Sequence, residues 1–327
     1  MLHRAENDEG SEPRLSLKTR LYAWWEGYDL SGLKRRGKDH DGKEHALAGA
    51  KAHPSAAASA EEKPPRPGEL DRHGKPLWSA SRIEVAEKIW GEGFVSPGGD
   101  EHIPYLLKPL GLNSAMSALD LSAGMGGTVR MMATKFSAWA TGLEASPVLA
   151  ERGMAQSTKH GMAQKAPIEH YDPENFSYGR RFDCAFAKET FFTVQNKAGL
   201  IEGVLECIKS PGQLLFTDYV VEANPRSPEV IRNWADHEPL EPHVWTVDQW
   251  SALLRKERLD VRIVEDISDT HIHSVLTAIK TLTDFLEQHA MDRGTKVNVV
   301  DEVEMWARRV AALQAGLRCY RFFALKG

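Results

Sequence analysis

The chain has 327 residues, of which 42% are hydrophobic and 27% are charged. This length is enough for one large α/β domain with appendages or for two small domains. The formal charge of −5 provides no single-sign field that would hold a polyanion, so nucleic acid is not expected as a partner.

The cysteines and the apolar runs indicate the compartment. Cys184, Cys207 and Cys319 lie far apart and form no CxxC pair, which is typical of a reducing compartment. The first residues lack the apolar core of a signal peptide, and no apolar run is long enough to span a membrane. We therefore expect a cytoplasmic protein.

Residues 1–76 are interpreted as an N-terminal extension of a main domain predicted at 77–327. Within the extension, residues 15–30 form a short amphipathic stretch that contains two adjacent tryptophans. We interpret it as a helix that packs on the main domain or on a second copy in a homodimer, and peripheral contact with a membrane surface is the alternative. Residues 31–76 carry almost no large apolar side chains and are typical of a flexible linker.

From about residue 78 onward, apolar strand patterns alternate with helical patterns, which predicts an α/β fold around a mostly parallel sheet. A Thr-x-x-Gln capping box at Thr246 predicts a helix that ends near Lys256. Two longer helical patterns, near 270–291 and 299–316, precede the final strand. The predicted strands are Ser117–Leu121, Ser137–Glu144, Ile168–Asp172, Phe182–Ala187, Gln213–Asp218, Val261–Asp266 and Arg318–Lys326.

The most informative segment reads strand, glycine-rich turn, helix and a second strand that ends in an acid. Gly124 and Gly126 let the backbone approach a ligand closely at the carboxyl edge of the sheet. Glu144 closes the next strand, where it is able to accept both hydroxyls of a ribose. This pattern suits either a dinucleotide or S-adenosylmethionine.

Two residues separate these cofactors. Val129 stands where the dinucleotide fingerprint requires its third glycine, so close helix packing under a pyrophosphate is not encoded. Asp120 places a carboxylate beside the turn, where it would repel phosphates and attract the ammonium of a methionine moiety. S-adenosylmethionine is therefore the favoured cofactor.

The motifs DLSAGMGG and GLEAS resemble the first two motifs of class I methyltransferases. The segments WGEGFVSPGG, LLFTDY and RFFALK are in turn similar to the phosphoethanolamine N-methyltransferase family, and the resemblance extends from Trp78 to the C-terminus. It implies a Rossmann-like, seven-stranded, mostly parallel sheet with helices on both faces, and it implies methyl transfer from S-adenosylmethionine.

The resemblance also implies which residues hold the cofactor. Asp120 and Ser122 would hold its methionine part, Glu144 its ribose and Asp172 the amino group of its adenine. Lys188 stands where the family has an arginine. The complete expected set is Val95, Ser96, Asp120, Ser122, Gly124, Gly126, Glu144, Ala145, Asp172 and Lys188.

The acceptor-binding groups of the family are not retained. The resemblance places Trp78 and Thr193 at the positions of a tyrosine and a histidine that order the acceptor amine. The phosphate-contacting positions fall on Asp236, Leu240 and Pro242. Since the side chains of Asp236, Leu240 and Pro242 donate no hydrogen bond to a phosphate, phosphoethanolamine is not expected as the acceptor.

Glu189, Tyr219 and Trp78 are the candidate catalytic residues. Glu189 follows the fourth strand and would orient the acceptor, with an ordinary salt bridge as the alternative. Tyr219 keeps the tyrosine of the family, and Trp78 would supply a cation–π wall or simply close the cleft. An HxH pair at His271 and His273 would face one side of a strand, but no third ligand lies nearby in sequence, so no metal is expected.

Three functions therefore stay open. The first is methyl transfer to a small amine, thiol or thioether. The second is methyl transfer to a lipid or quinone at a membrane surface, which the aromatic stretch at 15–30 supports. The third is binding of S-adenosylmethionine without turnover, which the missing tyrosine and histidine permit.

Overall fold

The structure, a computed structural model, describes residues 66, 68–288 and 293–327, without the side chains of 284–288 and 293–296. The aromatic stretch predicted at 15–30 and nearly all of the predicted linker lie outside the described residues. None of the described helices combines the length and the apolar character that crossing a membrane requires.

The described residues form a seven-stranded sheet with the strand order β3-β2-β1-β4-β5-β7-β6. Its pairs are parallel except for β5 with β7 and β6 with β7, which are antiparallel. The predicted Rossmann-like, mostly parallel sheet is confirmed. The strands are β1 Ser117–Asp120, β2 Trp139–Glu144, β3 Ile168–His170, β4 Phe182–Lys188, β5 Ile208–Val221, β6 Asp260–Asp266 and β7 Leu317–Lys326.

Strand β5 is longer than its prediction, which began at Gln213. The sequence Ser210-Pro211-Gly212 is typical of a turn. In the structure it belongs to β5 and lies where the pairing with β4 shifts register, between Phe182 and Cys184. The sheet therefore continues back to Ile208, which pairs with Phe182.

Helices cover both faces of the sheet, as predicted. The capping box at Thr246 is confirmed, since its hydroxyl accepts from the Gln249 amide at 3.2 Å and its own amide donates to the Gln249 side chain at 2.8 Å. The helices are α1 Ala80–Trp90, α2 Gly99–Leu107, α3 Gly127–Lys135, α4 Pro147–Lys159, α5 Lys197–Glu206, α6 Pro228–His237, α7 Val247–Lys256, α8 Ser268–Gln288 and α9 Arg293–Ala315.

The period-two alternation of the buried strands divides the core into two layers. On β4, Ala185 and Ala187 pack towards α5 and α7. Cys184 and Phe186, the alternate residues, pack towards α2, α3 and α4. Because β4 is buried on both faces, its sequence is a continuous apolar run rather than an alternating one.

Helices α8 and α9 lie between β6 and β7 in the chain, and α9 packs against α1 and α6. Two ion pairs with a buried carboxylate fasten these contacts. Arg82 of α1 binds Glu302 at 3.0 Å, and Arg309 binds both carboxylate oxygens of Glu238, just after α6, through Nε and Nη2, each at 2.7 Å. The HxH pair is in α8, which agrees with the helical pattern predicted near 270–291, so the interpretation of the pair as residues of a strand is wrong. The buried residues that follow His271 have helical spacing.

Residues 68–77, here called the strap, precede α1. An isolated bridge between Leu70 and Pro76 closes it into a turn. Gly68 has a φ of 78°, and a Cβ there would lie 2.1 Å from the Ala145 carbonyl oxygen, so only glycine fits this approach. Further along the strap, the Arg72 amide donates to the Pro239 carbonyl at 2.9 Å.

The compact unit that contains the sheet begins at Pro65, before the boundary that the sequence predicts at residue 76. The polar composition of the strap is typical of a linker, but the backbone hydrogen bond from Arg72 to Pro239 holds it on the domain. That bond goes to a partner that is distant in sequence, so composition does not reveal it.

Candidate active site

The candidate site lies at the carboxyl ends of β1 and β4. From β1 the strand order continues through β2 to β3 on one side, and from β4 it continues through β5 on the other side. The direction of the strand order therefore reverses between β1 and β4, and open α/β sheets bind ligands at such a switch point. The glycine-rich turn that follows β1 has Gly124 at a φ of 54° and Gly126 at 83°. Both values lie in the left-handed region, which glycine adopts without strain.

Asp120 ends β1 and is fully buried. Its Oδ1 accepts hydrogen bonds from the amide and the hydroxyl of Ser122, each at 2.9 Å. Burial raises the pKa of the carboxyl to about 6, against the lowering effect of the Ser122 hydrogen bonds and the Lys188 charge. Its Oδ2 is buried without a hydrogen-bond partner among the described residues. A buried acceptor of this kind fits the ammonium of S-adenosylmethionine.

Glu144 ends β2, and its carboxylate binds the glycine-rich turn. Oε2 accepts from the Gly124 amide at 2.7 Å, and Oε1 accepts from the Ser146 amide at 2.8 Å. Burial raises the pKa of this carboxyl to about 7. Each oxygen keeps a further lone pair, so the carboxylate fits the two hydroxyls of a ribose.

Ser96, Ser122 and Lys188 are brought together around the turn, as expected of neighbours of one cofactor. The Lys188 ammonium donates to the Ser96 hydroxyl at 2.6 Å, and the Lys188 amide donates to the Ser122 hydroxyl at 2.7 Å. A Cβ on Gly124 would meet only Val95, at 3.4 Å, which places Val95 over the turn.

The other expected cofactor residues have different surroundings. A Cβ on Gly126 would lie 2.7 Å from the Arg130 guanidinium, so this glycine serves the turn geometry. Ala145 lies under the strap. The Asp172 carboxylate caps a short 3₁₀ turn by accepting from the Glu174 amide at 3.0 Å and the Asn175 side chain at 2.7 Å. Its contact with an adenine stays a prediction.

Glu189 follows β4 with a φ of 41°, a strained backbone conformation that often accompanies functional sites. Its carboxylate accepts from the Lys188 ammonium at 3.0 Å and from the Thr217 hydroxyl at 2.6 Å. Burial acts to raise the pKa, but the charge of Lys188, the neighbouring histidines and the Thr217 hydrogen bond together outweigh burial and hold the pKa at about 2. Glu189 is therefore ionised, and the salt bridge that the sequence left as an alternative is present.

Tyr219 is fully buried, and its hydroxyl lies 2.9 Å from Nε2 of His271. His271 is also fully buried, and its Nδ1 has no partner among the described residues. Burial lowers its pKa to about 4, so the ring is neutral near pH 7. His102 of α2 resembles it, because its Nε2 is buried without a described partner and burial lowers its pKa to about 4.

The sequence did not single out His102, and it considered His271 only as a metal ligand. One oxygen of Glu189, one ring nitrogen of His271 and the sulfur of Cys319 lie within 4.8 Å of one another. Glu189 and Cys319 therefore lie close to His271 in space, although both are distant from it in sequence. The Glu189 oxygens, however, already accept from Lys188 and Thr217. The expectation that the site holds no metal stays a prediction.

Trp78 lies on the side of the glycine-rich turn. It packs against the buried cluster of Ile83, Met125 and Leu149, and the Arg82 guanidinium lies 4.3 Å from the centroid of its ring system. One face of the indole thus already has a cationic partner, so its role towards an acceptor stays a prediction.

The remaining positions implied by the resemblance are engaged locally or exposed. The Thr193 hydroxyl donates to the Thr190 carbonyl at 2.9 Å. The Asp236 side chain is exposed, so it does not belong to the buried cluster. Leu240 and Pro242 are half-buried in the segment between α6 and α7.

Comparison with known proteins agrees with this geometry. A family model described as a methyltransferase domain matches residues 100–261. Phosphoethanolamine N-methyltransferase 3 of Arabidopsis thaliana is 23% identical over 257 residues, which cover 76% of this chain and 50% of that protein. The chain thus spans about half the length of this curated relative.

Two solved structures share the fold. Phosphoethanolamine N-methyltransferase 2 of Haemonchus contortus, in complex with phosphomonomethylethanolamine and S-adenosylhomocysteine, has a TM-score of 0.66 and 19% identity. The match covers 77% of this chain and 62% of that one. A methyltransferase of Geobacter sulfurreducens bound to S-adenosylhomocysteine has a TM-score of 0.58 and 16% identity, over 77% of this chain and all of that one.

Proposed function

We propose that this class I, S-adenosylmethionine-dependent methyltransferase domain transfers a methyl group to the nitrogen of a small amine. The observation that carries the proposal is the buried pair of Lys188 and Glu189. Lys188 binds Ser96 and Ser122 on the cofactor side, and Glu189 extends from it as an ionised carboxylate. A buried anion beside the transfer point suits an acceptor that carries N–H donors.

The residues divide the work between cofactor and acceptor. Asp120 would bind the ammonium and Glu144 the ribose hydroxyls. When bound, S-adenosylmethionine supplies an electrophilic methyl group, which the nitrogen lone pair takes as the carbon–sulfur bond breaks and its electron pair stays on sulfur. Glu189 would accept a hydrogen bond from the amine and aim its lone pair. Most of the rate would come from this alignment and from the exclusion of water.

A phosphorylated amine suits this site less well than an unphosphorylated one. Lys188 and Arg309 are the lysine and the arginine whose charges act on His271. Both are already paired, with Glu189 and Glu238 respectively, at 3.0 and 2.7 Å. A phosphate would have to take a cation from a buried pair and leave a carboxylate uncompensated, which is strongly unfavourable.

The test uses the full-length protein and a cofactor with an isotope-labelled methyl group. We expect label transfer to unphosphorylated primary or secondary amines, detected by mass spectrometry in a metabolite extract and in a panel of pure amines, thiols and phosphoethanolamine. Glu189→Gln should lower turnover by about ten-fold or more, because a hydrogen bond to a charged group is lost, with little change in affinity for S-adenosylhomocysteine. Labelling of a thiol or of phosphoethanolamine in preference to the amines would contradict the acceptor assignment.

A further inference from the structure

The neutral, buried imidazole of His271 lies beside Glu189 and has an unused ring nitrogen. The hydrogen bond that the described residues provide to the ring joins Nε2 and the Tyr219 hydroxyl at 2.9 Å. Nδ1 is buried without a described partner. Because most buried polar atoms in native proteins are paired, an open nitrogen of this kind calls for a partner that binds there.

His271 is close to the point where methyl transfer is proposed. One of its ring nitrogens lies within 4.8 Å of a Glu189 carboxylate oxygen. Glu189 in turn accepts from Lys188, whose ammonium reaches Ser96 beside the glycine-rich turn. Helix α8 thus brings the imidazole to the carboxyl edge of the sheet from a distant part of the chain.

The protonation state of the imidazole suits a hydrogen-bond acceptor. Burial lowers its pKa, and so do the charges of Lys188, His102 and Arg309, while the charge of Glu189 raises it, and the result is about 4. If the ring proton is on Nε2 and is donated to the Tyr219 oxygen, Nδ1 carries a free lone pair.

We infer that His271 is a catalytic residue whose Nδ1 accepts a hydrogen bond from the N–H of the amine and so directs the nitrogen lone pair towards the methyl group. As the carbon–nitrogen bond forms, the nitrogen becomes an ammonium that keeps this hydrogen bond and loses its proton to solvent on release. This inference rests on the proposed function. Tyr219 is then a positioning residue, because it holds the ring through Nε2 and fixes the tautomer.

The test uses sinefungin, a cofactor analogue that carries an amino group where S-adenosylmethionine carries its methyl-bearing sulfonium. S-adenosylhomocysteine lacks that amino group and serves as the reference ligand. The quantity measured is the ratio of the two dissociation constants by titration calorimetry on the full-length protein. It requires no knowledge of the natural acceptor.

Two substitutions separate catalysis from packing. His271→Gln places an amide near the position of Nε2 and keeps a partner for Tyr219, whereas His271→Asn places its amide near Nδ1. We expect His271→Gln to lower the preference for sinefungin by about ten-fold, which corresponds to one hydrogen bond to a charged group, and His271→Asn to retain most of it. His273→Gln is the matched control, because this exposed histidine of the same helix should leave the preference unchanged.

Each other outcome overturns the inference. An unchanged preference in His271→Gln, or weaker binding of S-adenosylhomocysteine to the same degree, would leave His271 with a packing role only. A stoichiometric metal ion on Glu189, His271 and Cys319 would make the imidazole a ligand instead. If neither ligand binds the parent protein, the proposed function fails first.

If the buried substitutions do not fold, the parent protein still decides the question. With ¹⁵N-labelled histidine, sinefungin should shift the Nδ1 resonance of His271 and S-adenosylhomocysteine should not. Equal effects of the two ligands on that resonance would contradict the inference.

Discussion

Cofactor affinity should depend on pH through Asp120. The pKa of this carboxyl is raised to about 6 by burial, and its Oδ2 has no described partner. The ammonium group of the ligand binds the ionised form of Asp120, so affinity is fully present above the pKa and is lost as the pH falls through it. At about pH 5 roughly one tenth of the carboxyl is ionised, and the affinity for S-adenosylhomocysteine should be about ten-fold lower than near pH 7.

Asp120→Asn isolates this carboxyl, because the amide oxygen still accepts from Ser122. At about pH 7.5 we expect the variant to bind more weakly by roughly 1.5–3 kcal/mol, the value of a hydrogen bond to a charged group. Titration calorimetry of both proteins from about pH 5 to 7.5 measures the loss. The variant should also show a shallower pH dependence, since Glu144 is then the carboxyl of the candidate cofactor site whose raised pKa still lies in this range.

The stability of the ligand-free protein provides the control. A carboxyl whose folded-state pKa is raised stabilises the fold most at low pH, and that contribution is lost as the pH rises through about 6. At about pH 7.5 the buried charge of Asp120 costs roughly 3 kcal/mol, and an unpartnered amide in its place costs roughly 1–3 kcal/mol. Thermal unfolding should therefore show no loss of stability in Asp120→Asn. An equally steep pH dependence of binding in both proteins would refute the reasoning.

Three further predictions concern the cofactor, the fastening of α9 and the strap. Glu144→Ala should weaken binding of S-adenosylhomocysteine by roughly 1.5–3 kcal/mol in calorimetry, and unchanged affinity would contradict the ribose assignment. Arg309→Ala should lower the free energy of unfolding by roughly 3–5 kcal/mol in urea, because it leaves Glu238 buried and unpaired, whereas replacing both partners with apolar residues should cost much less. A chain that begins at Pro65 should fold and bind the cofactor as the full protein does. A chain that begins at Leu77 should bind it more weakly in the same calorimetric assay, because it lacks the strap that packs on Ala145. Equal affinity of the two chains would show that the strap is dispensable.

The sequence was sufficient for the features that depend on neighbouring residues. The strands follow from short apolar runs, and the start of α7 follows from the capping box at Thr246. Asp120, the glycine-rich turn and Glu144 belong to one strand-turn-helix-strand unit. In a parallel sheet the carboxyl ends of adjacent strands meet at one edge, so the proximity of these groups was predictable from their order along the chain.

The tertiary structure decided the acceptor side. Glu189, Tyr219 and His271 come from β4, β5 and α8, and only the packing of α8 and α9 over the sheet brings them together. Tertiary packing also determines the hydrogen bond between Lys188 and Ser96, since the two residues are distant in sequence.

The physical reason is the range of the forces that fix each feature. Backbone propensity, capping and hydrophobic periodicity act over a few residues, so the sequence by itself determined the elements and brought Asp120, the glycine-rich turn and Glu144 to one edge of the sheet. The burial of a charge, the pairing of a carboxylate and the loss of a hydrogen-bond partner depend on which distant segments pack together. For that reason only the fold reveals that Glu189 is ionised and that His271 is neutral with an open nitrogen.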